Sequence, residues 1–175
     1  MTVNISMDNL TTLDFADYVA REVVKANVPQ TGLVLEVTES RLMKDPVAPL
    51  DILSRLRLKH IGLSIDDFGT GHSSLTQLRD IPFDELKVDR SFVHGAHRYA
   101  PLRAIFEASL GMAQHLGMRT VAEGVEDHAD WEYLRSSGCD LAQGYFITKP
   151  MPANELSTWL VDWEARRSKL VSEEA

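Results

Sequence analysis

Two adjacent carboxylates, Asp66 and Asp67, end a short apolar stretch and precede a glycine-rich turn in the segment GLSIDDFGTGHSSL. Adjacent acids repel each other, so their charge has to be compensated by water or by a cation. Comparable apolar stretches elsewhere in the chain also end in polar residues: Asn4, Glu36, Lys87, Glu123 and Gln143. Asn, Asp and Glu supply the oxygen ligands that suit Mg²⁺ or Mn²⁺, whereas zinc favours Cys and His.

The segments that must position these residues alternate between strand and helix patterns. Period-two or continuous apolar runs predict strands at 3–6, 33–40, 62–67, 84–93, 118–126 and 139–147. Helical spacing predicts helices at 13–27, 46–60, 73–80, 101–117, 127–138 and 153–170, with Asp127 as a cap. Strands that are apolar on both faces and alternate with helices indicate a parallel sheet covered by helices. We therefore predict the α/β class.

The strand-end polar residues follow one another at intervals of 20 to 36 residues, each about one strand-helix unit. In a parallel barrel or a doubly wound sheet, such residues converge on one rim. Taken alone, each is better explained as a helix cap, a turn residue or a solvated strand end. Six positions together favour a common site, and metal is the predicted compensation for Asp66 and Asp67.

Composition limits the classes of partner. The net charge of −8 argues against duplex nucleic acid, because binding to a phosphate backbone needs a basic surface. No apolar run approaches the roughly 20 residues of a membrane span, and the first residues do not resemble a secretory signal. We expect a cytoplasmic protein with no membrane contact through this chain. The single Cys139 cannot form an internal disulfide.

Six ordered motifs carry a resemblance to a known family: VNIS, LEVTES, IDDFGTGHSSL, DELKVDRSFV, TVAEGVE and CDLAQGYFITKPMP. They resemble the EAL domain family over about Val3 to Pro152. The resemblance implies a TIM-like (β/α) barrel and a phosphodiesterase that uses two divalent cations, Mg²⁺ or Mn²⁺, to convert cyclic di-GMP to the linear dinucleotide.

The resemblance also implies roles for individual residues. Asn4, Glu36 and Asp66 resemble the ligands of the first cation, and Asp66, Asp67 and Glu123 those of the second. The remaining catalytic, anchoring, loop and substrate-binding roles fall on Lys87, Gln143, Glu39, Asp89, Gly69, Thr70, Gly71 and Ser73.

Three of these assignments can be stated more closely. Lys87 resembles a residue that contacts the attacking water, and its chemistry leaves open whether it accepts a proton or acts as a fixed charge. Gln143 resembles a residue near that water. Glu39 resembles the anchor of the loop after the two aspartates. In that loop His72 stands where the family usually has tyrosine, and we interpret it as an ordinary loop residue.

The chain also departs from the family pattern. It has no strand that carries Glu-Ala-Leu, and it has six strand-helix units where a closed barrel has eight. We therefore expect an incomplete barrel at 1–163 with a charged helix end or tail at 164–175, weak or absent activity, and self-association or a homodimer through open sheet edges. The alternatives are a non-catalytic receptor for cyclic di-GMP, a protein-interaction module, or a hydrolase of another phosphoester.

Overall fold

The structure is a computed structural model that describes residues 1–38, 47–70 and 75–172. In these residues six parallel strands form one sheet in the order β1-β2-β3-β4-β5-β6. The strands are β1 (Thr2–Asn4), β2 (Val34–Thr38), β3 (Gly62–Phe68), β4 (Glu85–Val88), β5 (Arg119–Glu123) and β6 (Leu141–Gln143). Sequential strands are neighbours throughout, so the polar residues at their carboxyl ends lie along one edge.

Helices connect the strands, as the alternating pattern predicts. They are α1 (Asp14–Lys25), α2 (Val47–Leu58), α3 (Leu75–Asp80), α4 (Arg90–Val93), α5 (Ala100–His115), α6 (His128–Ser137) and α7 (Leu156–Ser172). Short 3₁₀ segments add turns at Met7–Thr11, Gln30–Gly32 and Ala153–Glu155. The prediction of an α/β fold with six strand-helix units is confirmed, and so is the cap of α6, where the Asp127 side chain accepts a hydrogen bond from Asp130 N.

The core lies between the sheet and the helices that cover it. Leu63 and Leu86 on central strands are fully buried with Ile52 of α2 and Phe106 of α5. Strands β2 to β5 are buried along most of their length, which confirms the prediction of two covered faces. The prediction is wrong for the outer strands, because β1 and β6 are largely exposed at the two edges of the described sheet.

Two predicted strands are more than twice as long as the observed ones. The segment 84–93 forms β4 only as far as Val88, because the Asp89 side chain accepts a hydrogen bond from Ser91 N and starts α4. The segment 139–147 forms a strand only at Leu141–Gln143, after which the chain turns. At that turn a Cβ on Gly144 would lie 2.2 Å from the backbone oxygen of Val125, so the backbones approach too closely for any side chain.

The carboxyl-terminal part of the chain forms a continuous helix, since α7 runs from Leu156 to Ser172 through the domain boundary predicted at 163. Trp163 of α7 packs edge-on against Trp131 of α6, with ring centroids 6.1 Å apart. Within the described residues, no helix combines the length and apolar character that a membrane span requires.

Candidate active site at the carboxyl ends of the strands

An irregularity in β3 explains how two adjacent aspartates serve one site. Ile65 pairs with Leu86 and Phe68 pairs with Val88, so three steps along β3 oppose two steps along β4. Asp67 has φ +56°, a left-handed conformation that is uncommon outside glycine. In a regular strand, neighbouring side chains point to opposite faces. At this bulge the two carboxylates instead come together.

Asp66, Asp67 and Glu123 form a compact group of carboxylates. One oxygen from each lies within 4.8 Å of the others, although Glu123 is on β5 and the aspartates are on β3. The pKa of Glu123 is raised by burial; Lys87 opposes this shift, and the charges of Asp66 and Asp67 add to it. This electrostatic strain is what a bound cation would relieve.

Lys87 lies at the centre of the site. Its Nζ is 2.6 Å from Glu123 Oε1, 2.9 Å from Glu36 Oε1 and 3.0 Å from Asp66 Oδ1. The residue is only 4% exposed. Burial alone would lower its pKa, but the ion pairs with Glu123, Glu36 and Asp66 outweigh burial and raise the pKa above its usual range. Lys87 is therefore an ammonium in this arrangement.

Asp66 retains acceptor capacity that the described part of the chain does not satisfy. Its Oδ1 is buried and accepts no hydrogen bond from the described residues. The Lys87 ammonium lies within ion-pair distance of it, but among these residues no donor is aligned for a hydrogen bond. A buried carboxylate oxygen without a donor, beside two further carboxylates, fits a hard divalent cation. The described residues of the site therefore suit Mg²⁺ or Mn²⁺ in donor type and in charge.

Asn4 and Gln143 occupy the two ends of this rim. Asn4 pairs in register with Glu36, and Gln143 pairs with Glu123. Both side chains are exposed because they belong to the outer strands. The sheet therefore places them beside the carboxylate cluster. The ion pairs at the centre of the site join Lys87 to Glu36, Asp66 and Glu123.

The residues that sequence analysis assigned to loops divide into two groups. Asp89 caps α4, and Thr70 closes a tight turn by donating its hydroxyl to Asp67 O at 2.9 Å. Gly69 has φ +98°, and a Cβ there would lie 2.8 Å from Phe92 Cε2. The others lie outside the described residues: Glu39, Gly71, His72 and Ser73.

Two glycines that the sequence patterns did not single out bring the loops of this rim together. Gly124 follows Glu123 directly, has φ +69°, and would place a Cβ 2.3 Å from the Cβ of Arg90. Gly144 follows Gln143 directly and abuts Val125. A glycine immediately after a strand-end polar residue was the available signal, because such a position demands a turn or a close backbone approach.

Comparison with known proteins agrees with this geometry. The chain is 41% identical over 153 residues to the bifunctional diguanylate cyclase/cyclic di-GMP phosphodiesterase MucR of Pseudomonas aeruginosa, in a match that covers 85% of this chain but only 22% of the relative. It superimposes on a solved structure titled PaMucR phosphodiesterase, c-di-GMP complex, with TM-score 0.82 and 39% identity over 89% of this chain and 63% of that one.

A second solved structure, from Klebsiella pneumoniae, is a manganese/cyclic di-GMP complex of BlrP1 with TM-score 0.80 and 30% identity. The match covers 85% of this chain and 38% of that one. The likeness to solved members confirms the prediction of an incomplete TIM-like barrel. The EAL domain model matches residues 1–150, so this chain belongs to the EAL domain family.

Proposed function

We propose that the chain contributes to a phosphodiesterase site that hydrolyses cyclic di-GMP with the help of two Mg²⁺ or Mn²⁺ ions. The main support is the arrangement of Glu36, Asp66 and Glu123 around Lys87, with Asp67 turned into the same group by the bulge. Further support is that similar proteins carry the name of this activity and that two of them were solved with cyclic di-GMP.

In this proposal each residue of the rim has a distinct task. Asn4, Glu36 and Asp66 would hold one cation, and Asp66, Asp67 and Glu123 would hold the other. Bound cations would polarise the phosphate and lower the pKa of a water at the site. Lys87 keeps the carboxylates grouped and orients the attacking water, and Gln143 lies at the edge of the same rim. Hydrolysis then breaks one of the two phosphodiester bonds and leaves the linear dinucleotide.

The direct test is to incubate the purified chain with Mn²⁺ and cyclic di-GMP and to separate the products by chromatography. We expect slow formation of the linear dinucleotide, and Asp66→Asn should reduce it by about 100-fold or more, because it removes a carboxylate that is assigned to both cations and so weakens the charge stabilisation they would give the reacting phosphate. Asp51→Asn, an exposed aspartate of α2 that pairs with Arg55, is the matched control.

The outcomes of this assay separate the alternatives. Mn²⁺-dependent binding without any hydrolysis would favour a cyclic di-GMP receptor over an enzyme. Absence of both binding and hydrolysis would overturn the proposal. Turnover of another phosphoester at a higher rate than cyclic di-GMP would assign the site to a different substrate.

We also propose that the chain associates with a second copy of itself. Strands β1 and β6 are the outer strands of the described sheet, and Val3 and Leu141 on them are 39% and 44% exposed. Outer strands present unpaired backbone groups that favour pairing with another chain. Sedimentation velocity at several concentrations should reveal dimers or larger species. Leu141→Lys should weaken them, Val161→Lys on α7 should not, and a monomer at tens of micromolar would contradict the proposal.

A further inference from the structure

Away from the carboxylate cluster of Asp66, Asp67 and Glu123, another buried carboxylate forms several hydrogen bonds. Asp130 of α6 has a fully buried side chain. Its Oδ2 lies 2.7 Å from His94 Nδ1. Its Oδ1 lies 3.2 Å from His97 Nδ1 and also accepts a hydrogen bond from Gly95 N at 2.9 Å. A longer contact of 3.4 Å joins Glu126 N to Oδ2. Asp130 is thus a charged acceptor held by four donors.

These contacts join two segments that follow neighbouring strands of the site. His94, Gly95 and His97 come directly after α4, which itself follows β4 and Lys87. Asp130 stands in the first turn of α6, which follows β5 and Glu123. The carboxylate therefore ties together the chain that leaves β4 and the chain that leaves β5, on the side of the sheet where the candidate active site lies.

The helix that Asp130 holds in place also contacts the turns beside the carboxylate cluster. Gly124, next to Glu123, packs against Arg90 of α4 so closely that a Cβ would overlap it. Gly69, two residues after Asp67, packs against Phe92 of the same helix. Helix α4 lies between these turns, so a displacement of α4 would move both.

We propose that Asp130 is a positioning residue for the cation site. By holding His94, Gly95 and His97 against α6, it fixes α4 and, through α4, the turns next to Asp67 and Glu123. The effect on cation binding rests on the proposed function, whereas the mechanical coupling between Asp130 and the two turns does not.

The same group could instead be interpreted as a second cation site, because ligand atoms of His94, Asp127 and Asp130 lie within 4.8 Å of one another. Three observations favour the positioning role. Both Asp130 oxygens already accept hydrogen bonds from the chain. Asp127 in turn accepts a hydrogen bond from Asp130 N as the cap of α6. The 2.7 Å contact between His94 Nδ1 and Asp130 Oδ2 is a hydrogen-bond distance, shorter than the separation of two atoms that bind the same ion.

The test compares Asp130→Asn with the control Glu132→Gln. The control also neutralises an acidic residue of α6, a glutamate that forms an ion pair with Arg135. Asparagine keeps the size of the side chain and an oxygen for Gly95 N–H but removes the charge. We expect Asp130→Asn to shift the backbone amide NMR signals of Lys87, Glu123 and Gly124, and Glu132→Gln to leave them unchanged. We also expect Asp130→Asn to weaken Mn²⁺ binding by about 10-fold, as loss of a supporting carboxylate does at other metal sites.

Both measurements are made at a temperature where circular dichroism reports a folded protein. A variant that melts at lower temperature but keeps the amide signals and the Mn²⁺ affinity would overturn the proposal and leave Asp130 a role in stability alone. Wild-type protein that binds Zn²⁺ through the His94 ring, seen in ring-nitrogen NMR, would overturn it in favour of an ion site. If wild type binds no Mn²⁺ while Asp130→Asn still shifts the amide signals, the proposed function fails and the positioning stands.

Discussion

The Lys87 ammonium lies 2.6 Å from the Glu123 carboxylate, although the register pairs Lys87 with Val121. The long lysine side chain therefore reaches along the sheet to the carboxyl ends of the strands, where it also contacts Glu36 and Asp66. One positive charge is shared among three carboxylates. The remaining negative charge is what a divalent cation would neutralise.

Replacing Lys87 with methionine should destabilise the protein in the absence of cations. The substitution keeps much of the apolar stem but leaves the carboxylates facing one another without a counter-charge. Removing one partner of a buried ion pair lowers the free energy of unfolding by about 3–5 kcal/mol. Urea unfolding measures the loss, and Mn²⁺ should restore part of it. Lys25→Met, at an exposed pair with Glu22, should change stability by less than about 1 kcal/mol. Equal effects of the two substitutions would contradict the central position of Lys87.

Gly124→Ala should destabilise the fold because the position cannot accommodate a Cβ. Its φ of +69° is left-handed, and the added atom would lie 2.3 Å from the Cβ of Arg90. We expect a loss of about 1–3 kcal/mol in the free energy of unfolding, measured by denaturant titration. Gly111→Ala is the matched control, since Gly111 is in α5 and a Cβ added there would meet no packing neighbour within 4 Å. That control should stabilise the protein by up to about 1 kcal/mol.

The contact between His94 and Asp130 should make stability depend on pH. Hydrogen bonding to Asp130 raises the pKa of His94. The contribution of His94 to the free energy of unfolding is therefore complete below the ordinary histidine pKa of about 6.5 and is lost as pH rises through the raised value. Burial pushes the pKa of Asp130 upward, but the Gly95 N–H and His94 outweigh it and lower the pKa. Its contribution is therefore present above the ordinary aspartate pKa of about 3.9 and is lost as pH falls through the lowered value.

The pair should therefore stabilise most between about pH 4 and pH 6.5. The other titratable or charged groups near it are Glu126 and Asp127, which also favour the protonated imidazole, His97, whose Nδ1 lies 3.2 Å from Asp130 Oδ1, and Arg98, 3.9 Å from Asp127. The measurement is the difference in unfolding free energy between wild type and His94→Asn across pH. It should be largest near pH 5.5 and shrink by pH 9. His115→Asn, at a ring whose hydrogen bond goes to the backbone oxygen of Gly111, is the control for removing a histidine.

The positions of the site residues could be predicted from the sequence because parallel strands bring their carboxyl ends to one edge. The bulge at Asp66 and Asp67 could not, because it depends on a left-handed backbone at an aspartate, and the letters Asp-Asp fit a regular strand end equally well. The early end of β4 had a local signal, since Asp-Arg-Ser after a short strand is a helix-cap pattern. The prediction of a strand through Val93 gave more weight to the apolar residues Phe92 and Val93.

The contacts of Asp130 show a different limit. Its partner His94 is 36 residues away in sequence, and each residue has an ordinary local explanation as a polar residue near a helix end. Only the tertiary arrangement buries the carboxylate and surrounds it with donors. Side-chain pairs of this kind lie beyond what periodicity and capping patterns can predict.

The most direct test of the proposed cation site is calorimetric titration of Mn²⁺ into wild type, Asp66→Asn and the control Asp51→Asn. Asp66 carries a buried oxygen that accepts no hydrogen bond from residues 1–38, 47–70 or 75–172, and it is assigned to both cations. Its neutralisation should therefore weaken binding by at least about 100-fold, more than the loss of a supporting residue does. We predict saturable binding by wild type and by Asp51→Asn, with little or no heat from Asp66→Asn. Equal affinity of wild type and Asp66→Asn would contradict the assignment of Asp66 to the cations.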